Sequence, residues 1–476
     1  MHCRRYLESQ VTRRQMLRNS SVGFGALALD MLMAQECAAE TEGPFAPRNT
    51  HFAAKARSII FLYMDGGVSQ VDSFDPKPRL NKEHGKPFSL KMEPTQFNNI
   101  GTVYRSHWGF KKYGQCGMDV SGLFPHIATC ADDLALVRSM TAPFSEHNTA
   151  NFFLHTGFGV QGRPSMGAWA TYGLGSECRD LPGYVVLNGG LIPSGGMDNF
   201  NSGFLPAAYQ GTLLRPKGVP ILNLQRPAGV SAAQQRKEFD ALKWLNRKHL
   251  EGKSYDTELE ARISSYELAF RMQMEAPEIV DISREKESTR ELYGLDQGHT
   301  AGFGRQCLLA RRLVERGVRY SLLVHGVQIG GYSWDDHGDV KGGMIRHSRE
   351  VDKPVSGLLT DLKQRGLLEE TLVVWASEMG RTPFRNGGLG SKPGREHNSY
   401  ALCMWMAGGD VKGGSKAGET DEFSLRSAGK PIHMRDVHAT ILNLMGLEDE
   451  RLTYLYAGRN RRLSDIGGET LEEIIS

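Results

Sequence analysis

The chain has 476 residues, 40% of them hydrophobic, which is long and apolar enough to bury a large core. Its formal charge is only +3, and five Arg against Glu8, Asp30 and Glu36 place +2 of that in the first 39 residues. The near-neutral remainder excludes the clustered basic surface of a nucleic-acid-binding protein, and its five cysteines, with no C-x-x-C pair, exclude a disulfide scaffold or a cysteine zinc site.

Residues 1–39 read as a twin-arginine signal peptide. Arg13-Arg14 precede an apolar, glycine-containing stretch from about Ser20 to Met33, and Cys37-Ala38-Ala39 offers small residues for cleavage. The stretch is interrupted by Asp30 and falls short of the roughly 20 apolar residues of a membrane span. The order predicts engagement of the twin-arginine export machinery and delivery of a folded chain to a periplasmic or extracytoplasmic location. It also predicts no stable membrane span in the mature chain.

Residues 40–476 read as one α/β domain. Short apolar runs from Ser58 to Met64, Leu134 to Ser139, Tyr184 to Leu187, Val318 to Val324, Leu372 to Ala376 and Tyr400 to Met406 predict strands. Gln306 to Arg316 and Val355 to Arg365 carry leucines at helical spacing, so helices alternate with strands, the pattern of a mostly parallel sheet. Residues 230–297 are long, charged and strand-poor, which predicts a helical insertion with solvated faces.

In an open α/β sheet ligands collect where the strands end. Asp65-Gly66-Gly67 follows the first run, Trp334-Asp335-Asp336-His337 the fourth and Ser377-Glu378 the fifth, with Arg395-Glu396-His397 in a glycine-rich loop beyond. Each alone is accounted for by an ordinary cap or turn. Together, Asp, Glu and His on separate loops have the ligand chemistry of a divalent metal. Ser145 to Gly157 predicts a polar loop entering a short helix that ends at Gly157. The helix N-terminus, Glu146 to Thr149, is a natural place for an oxyanion or a nucleophile, and is equally well accounted for by an ordinary N-cap.

The segments Asp65-Gly66-Gly67-Val68-Ser69, Asp72-Ser73-Phe74-Asp75-Pro76-Lys77-Pro78, Gly167-Ala168-Trp169, Trp334-Asp335-Asp336-His337, Ser377-Glu378-Met379-Gly380-Arg381-Thr382-Pro383, Gly394-Arg395-Glu396-His397, Ala407-Gly408-Gly409 and Asp436-Val437-His438 occur in one order. In that order they resemble the alkaline phosphatase and sulfatase superfamily, and within it the exported sulfatase-like family known as domain of unknown function 1501. The resemblance implies an alkaline phosphatase-like three-layer sandwich around a mostly parallel central sheet. It implies a divalent metal ion, whether zinc, manganese or calcium, held by Asp65, Asp335, His337, Glu378 and His397. It further implies an exported hydrolase of phosphate or sulfate esters acting on a small anionic ester, with Arg395 or Arg381 neutralising the anion through bidentate hydrogen bonds.

Two positions depart from the superfamily pattern. Glu378-Met379 stands where a catalytic member carries Asp-His, and a thioether is a poor ligand for a hard divalent ion. His147, ten residues before Gly157, stands where Ser, Thr or a modifiable Cys is expected. It is read as catalytic, acting as metal ligand, general base or nucleophile, with Ser145, Thr149 and Ser69 as the fallback hydroxyls. The same departures fit an alternative, a non-catalytic metal- or anion-binding protein or a scaffold.

Overall fold

Alternation within the first strand sets the layers of the molecule. In a computed structural model that describes residues 45–476, apart from 91–99, 179, 190–191, 216–220, 222–228, 252–256, 327–332 and 387–391, Ser58–Met64 (β1) is buried along its whole length. The export signal expected over residues 1–39 lies outside the described residues. Ile60, Leu62 and Met64 pack with the helices Ala301–Glu315 and Val340–Gln364 on one face. Ile59, Phe61 and Tyr63 pack with His147–Thr156, Met166–Leu174 and Met434–Leu444 on the other. Because successive side chains of a strand face opposite ways, a strand covered on both sides reads as a continuous apolar run.

The other strands of the sheet are Leu134–Thr141 (β2), Tyr184–Leu187 (β3), Thr212–Leu213 (β4), Tyr320–His325 (β5), Thr371–Ala376 (β6), Leu402–Ala407 (β7), Lys416–Ala417 (β8) and Ile432–His433 (β9). Their order is β8-β2-β7-β6-β1-β5-β3-β4, with β9 also beside β2. β7 runs antiparallel to both β2 and β6, and the remaining pairs are parallel. The expected α/β three-layer arrangement is therefore present. Trp375 and Trp405, cross-strand partners on β6 and β7, stack with centroids 6.1 Å apart.

Residues Ala232–Glu251 and Thr257–Val280 form two long helices within the span expected to be a helical insertion. The second buries Leu268, Met272 and Ala276 against Phe45, while Leu242, Trp244 and Leu245 of the first stay exposed. Among the described residues no helix is long and apolar enough to cross a membrane.

One local expectation is corrected. Arg395–Asn398 is a strand rather than a glycine-rich loop, paired antiparallel with Gly380–Asn386, which in turn pairs with Ile100–Val103. These polar residues are all buried because side chains distant in sequence satisfy them. The small sheet holds His397 opposite Arg381, beside the end of β6.

Candidate metal centre

β1, β5 and β6 are parallel neighbours, so Met64, His325 and Ala376 end at one edge and the residues that follow them meet. Gly66 and Gly67 take φ of +111° and +82°, a turn that a side chain would strain. A Cβ on Gly66 would also lie 2.7 Å from the main-chain nitrogens of Trp334 and Asp335. Glycine there lets the Trp334–His337 segment cross the end of β1, where Trp334 N donates to Asp65 O at 2.8 Å. Glu378, two residues past β6, accepts from Gly66 N at 3.0 and 3.2 Å. Arg381 straps the turn together by donating to Gly67 O at 2.9 Å, to Gly66 O and to Asp335 Oδ1 at 2.5 Å.

Asp335 is the hub. Its Oδ1 lies 2.9 Å from His337 Nε2 and 3.1 Å from His397 Nε2, and its Oδ2 lies 3.3 Å from His147 Nε2. The two facing ring nitrogens, His337 Nε2 and His397 Nε2, are themselves 2.9 Å apart. His397 Nδ1 is 2.7 Å from Ser145 O, a carbonyl that can only accept. The neutral ring therefore keeps its proton on Nδ1, and Nε2 presents a lone pair toward a carboxylate oxygen. One His337 proton at most lies between these two acceptors.

His147 opens its helix with Nδ1 2.7 Å from Glu378 Oε1, so that nitrogen donates. Its buried Nε2 has no hydrogen-bond partner among the described residues, since the approach to Asp335 is misaligned. Asp65 Oδ1 accepts from Tyr63 Oη at 2.6 Å, while its Oδ2 is buried without a partner among the described residues. Glu396, fully buried, accepts from His397 N at 2.9 Å and lies 3.6 Å from His337 Nδ1.

Among the described residues, four carboxylates, Asp65, Asp335, Glu378 and Glu396, thus gather around one permanent cation, Arg381. The electrostatic response is a demand for positive charge. Burial, reinforced by the charge of Glu378, pushes Asp65 up to about 7. Burial would lower His147, but the close carboxylates of Asp335 and Glu378 outweigh this and raise it to about 10. Asp335 is held well below the usual carboxylate range, because Arg381 and the three imidazoles outweigh its burial. Burial lowers His397 to about 4, keeping it a neutral donor of lone pairs. Buried carboxylates in excess of their cations are costly. The ligating atoms of His147, Asp335 and His397 lie within 4.8 Å of one another, as do those of His337, Glu396 and His397. Orphaned carboxylate and imidazole atoms at that spacing fit a divalent ion.

A second cluster, His325, His347 and Glu350, has equally close atoms but a different chemistry. Trp334 Nε1–H donates to His325 Nδ1 at 3.1 Å, so His325 carries its proton on Nε2 and donates it to Glu350 Oε2 at 3.1 Å. Arg346 donates to His347 Nε2 at 3.3 Å, so His347 Nδ1–H donates to the same oxygen at 3.3 Å. Indole and guanidinium only donate, and the nitrogens facing Glu350 are thereby protonated and closed to a metal.

The sequence profile described as "Protein of unknown function (DUF1501)" matches residues 56–475. The chain belongs to this family. No curated protein matches it. Solved structures similar to this DUF1501 protein include a sulfatase from Pseudoalteromonas sp., with 12% identity, 83% of this chain and 68% of that chain covered and a TM-score of 0.35. A phosphonate monoester hydrolase from Silicibacter pomeroyi has 11% identity, coverage of 73% and 71% and a TM-score of 0.36. An alkaline phosphatase from the Antarctic bacterium TAB5 has 10% identity, coverage of 75% and 92% and a TM-score of 0.32. At such scores the likeness carries no argument about chemistry.

Of the residues singled out in the sequence of this DUF1501 chain, Asp335, His337 and His397 are in direct contact, and His147 joins them to Glu378. Asp65 enters from the end of β1 with its free oxygen buried. Three expectations are corrected. Arg395 is fully buried and binds no incoming anion, because its five N–H groups go to both oxygens of Asp72, at 2.8 and 3.3 Å, and to the carbonyls of Tyr104, Thr382 and Arg105. Arg381 is equally buried and committed to the β1 turn and Asp335. The helix N-terminus is already occupied by an anion, since Glu146 accepts from Asn148 N at 2.8 Å and Thr149 N at 3.0 Å.

Two of the three fallback hydroxyls are also engaged: Ser69 donates to Asp72 at 2.6 Å and Thr149 to Glu146 at 3.0 Å. Met379 is buried against Gly67. Four residues of the site were missed. Glu396 and Asn386, which donates to it at 3.3 Å, carry no separate sequence signal. Tyr63 and Asn151 did carry one: β1 alternation turns Tyr63 toward the helix, and Asn151 stands one turn after His147.

Proposed function

We propose that this chain is an exported, divalent-metal-dependent hydrolase of phosphate or sulfate esters. The observation that carries the reading is a pair of buried polar atoms beside Asp335, Asp65 Oδ2 and His147 Nε2, that have no hydrogen-bond partner among the described residues. Asp335, His337 and His397 would hold the ion from one side and Asp65 and Glu378 from the other. A bound divalent cation supplies Lewis acidity and compensating charge to the oxygens of an anionic ester.

With Arg395, Arg381 and the helix N-terminus already engaged, no other permanent cation stands in the site for that anion among the described residues. Turnover is therefore strictly metal-dependent. His147, fixed through Nδ1–H to Glu378 and raised to about 10 by the carboxylates around it, would offer Nε2 as a general base only with a divalent cation offsetting their charge.

The test is elemental analysis of full-length protein purified without chelators, followed by assays on aryl phosphates and aryl sulfates. The expected result is stoichiometric metal and turnover of one ester class that chelation abolishes. A metal-replete protein silent on both panels would overturn the hydrolase. If such a protein still bound phosphate, the binding-module reading would stand instead, which the buried Met379 and the engaged hydroxyls favour. Export is tested by fusing residues 1–39 to a reporter and replacing Arg13 and Arg14 with Lys; a reporter that stays inside the cell in both forms would overturn that part.

A further inference from the structure

A second cavity lies beside the helix Val340–Gln364, away from the metal centre. It holds about 350 Å³ and is lined by Trp108, His126, His299, Arg349, Asp352 and Lys353 among others. From the helix cap at Asp339, Arg349 is ten residues along, about 15 Å at the helical rise. A ligand seated here is therefore not the group reacting at Asp335.

The lining is unbalanced in hydrogen-bonding character. Its one carboxylate, Asp352, is buried and spends both oxygens on main-chain N–H groups, His126 N at 2.9 Å and Ile127 N at 2.8 Å. Lys353 has only a distant acidic neighbour, Asp296 at 4.0 Å. Arg349 is exposed and has no hydrogen bond or ion pair among the described residues, while His126 has the Asp352 carboxylate as its electrostatic neighbour. Two permanent cations, Arg349 and Lys353, thus stand at the cavity beside one carboxylate that is already hydrogen-bonded, a net positive lining that suits an anion.

The wall adds a second requirement. Trp108, half-buried, lines the cavity, and an indole stacks on a ring. A volume near 350 Å³ is within the range of about 300–1,000 Å³ that takes organic ligands and is more than a bare oxyanion fills. We infer that this cavity is a binding site for a ring bearing a tetrahedral oxyanion, with the ring on Trp108 and the oxyanion on Arg349. A phosphorylated sugar and an aryl phosphate share that chemistry. The site does not depend on whether the metal centre turns over.

Isothermal titration of chelator-treated protein, and of Asp335→Ala, with glucose 6-phosphate, phenyl phosphate, inorganic phosphate and glucose tests the inference without interference from turnover. At least one ring phosphate should bind with 1:1 stoichiometry and at least tenfold more tightly than inorganic phosphate, and which of the two does so separates sugar from aryl. Arg349→Ala should weaken it tenfold or more, and Trp108→Ala should remove the preference for ring over bare phosphate. Arg349 is exposed, so its variant keeps the fold, as an unchanged melting temperature would verify. No saturable binding, equal affinity for inorganic phosphate, or binding unaffected by Arg349→Ala would each overturn the inference.

Discussion

Two clusters of histidine and carboxylate stand close together in this molecule, built from the same residue types, and only one of them is chemically open. Around Glu350, Trp334 and Arg346 supply donors that cannot accept, so both imidazoles take a defined tautomer and donate to one oxygen. Those hydrogen bonds outweigh burial and bring Glu350 down to about 2. Around Asp335 the outer partner of His397 is a carbonyl, which turns the lone pair inward. The identity of the outer partner, donor or acceptor, decides whether a cluster is closed by protons or left for a metal. The Ser145 carbonyl lies 252 residues from His397, a pairing that spacing alone does not reveal.

The largest expected effect sets the clusters apart by activity. Asp335→Ala removes the atom pair on which both halves of the open cluster converge, and ester turnover should fall by about 10³-fold or more. Metal content should fall with it. Because the change also leaves the Arg381 guanidinium buried and unpaired, a stability loss of about 3–5 kcal/mol accompanies it. Asp335→Asn, which keeps the shape, serves as the comparison. Wild-type activity in a well-folded Asp335→Asn protein would mean that the open cluster is not the functional one.

Acid–base behaviour separates the clusters by sign. Asp65 has its folded pKa raised, to about 7 from near 4. Its contribution to the metal-free fold is complete below pH 4 and is lost as pH rises through 7, at up to about 1.4 kcal/mol per pH unit. Glu350 is depressed, so its contribution is present above about pH 4.5 and is lost as pH falls toward 2. In denaturant melts, chelated wild-type protein should therefore lose more stability between about pH 5 and 7.5 than chelated Asp65→Asn. That comparison cancels the opposite slope of His397, which burial lowers to about 4. Metal-loaded protein should show no such excess loss, because the cation replaces the proton. Identical profiles with and without metal would break the comparison.

Glu350→Gln probes the closed cluster. One amide oxygen replaces the charged acceptor of two imidazoles, which should cost about 2 kcal/mol in stability and leave metal content unchanged. A parallel loss of metal would show that the clusters act as one.

Much of this was legible in advance. The six apolar runs became sheet strands because burial on both faces leaves no room for polar alternation, and the strand-end residues Asp65, Asp335 and Glu378 follow from a parallel sheet. Arg395 was not legible as structural, because its acceptors Asp72, Tyr104 and Arg105 lie about 300 residues away and a guanidinium beside a histidine reads equally well as an anion clamp. The Arg395–Asn398 strand was missed for the same reason: polar side chains imply solvent until distant partners are known. Glu146 was the avoidable error, since its acceptors' partners, Asn148 N and Thr149 N, are two and three residues on, the ordinary spacing of a helix cap.

The smallest predicted effect sharpens the comparison most, because it changes one hydrogen bond rather than a ligand. Tyr63 Oη donates to Asp65 Oδ1 and contacts Asn151 Oδ1, placing one hydroxyl proton between two acceptors. It orients Asp65 so that Oδ2 is the oxygen left open, the role that an outer donor plays for His325. Tyr63→Phe keeps the ring packed on His155, 4.8 Å away edge-on, and deletes only that donor. If Asp65 holds the ion, its affinity should fall by about tenfold, within the range for partners of metal ligands, equivalent to about 1.4 kcal/mol. The readout is metal competition against a chromogenic chelator, with thermal melting to separate affinity from folding. Unchanged affinity in a stable Tyr63→Phe protein would remove Asp65 from the ligand set and shift the centre toward Asp335, His337, His397 and Glu396, where two imidazoles and two carboxylates already stand within reach of one ion.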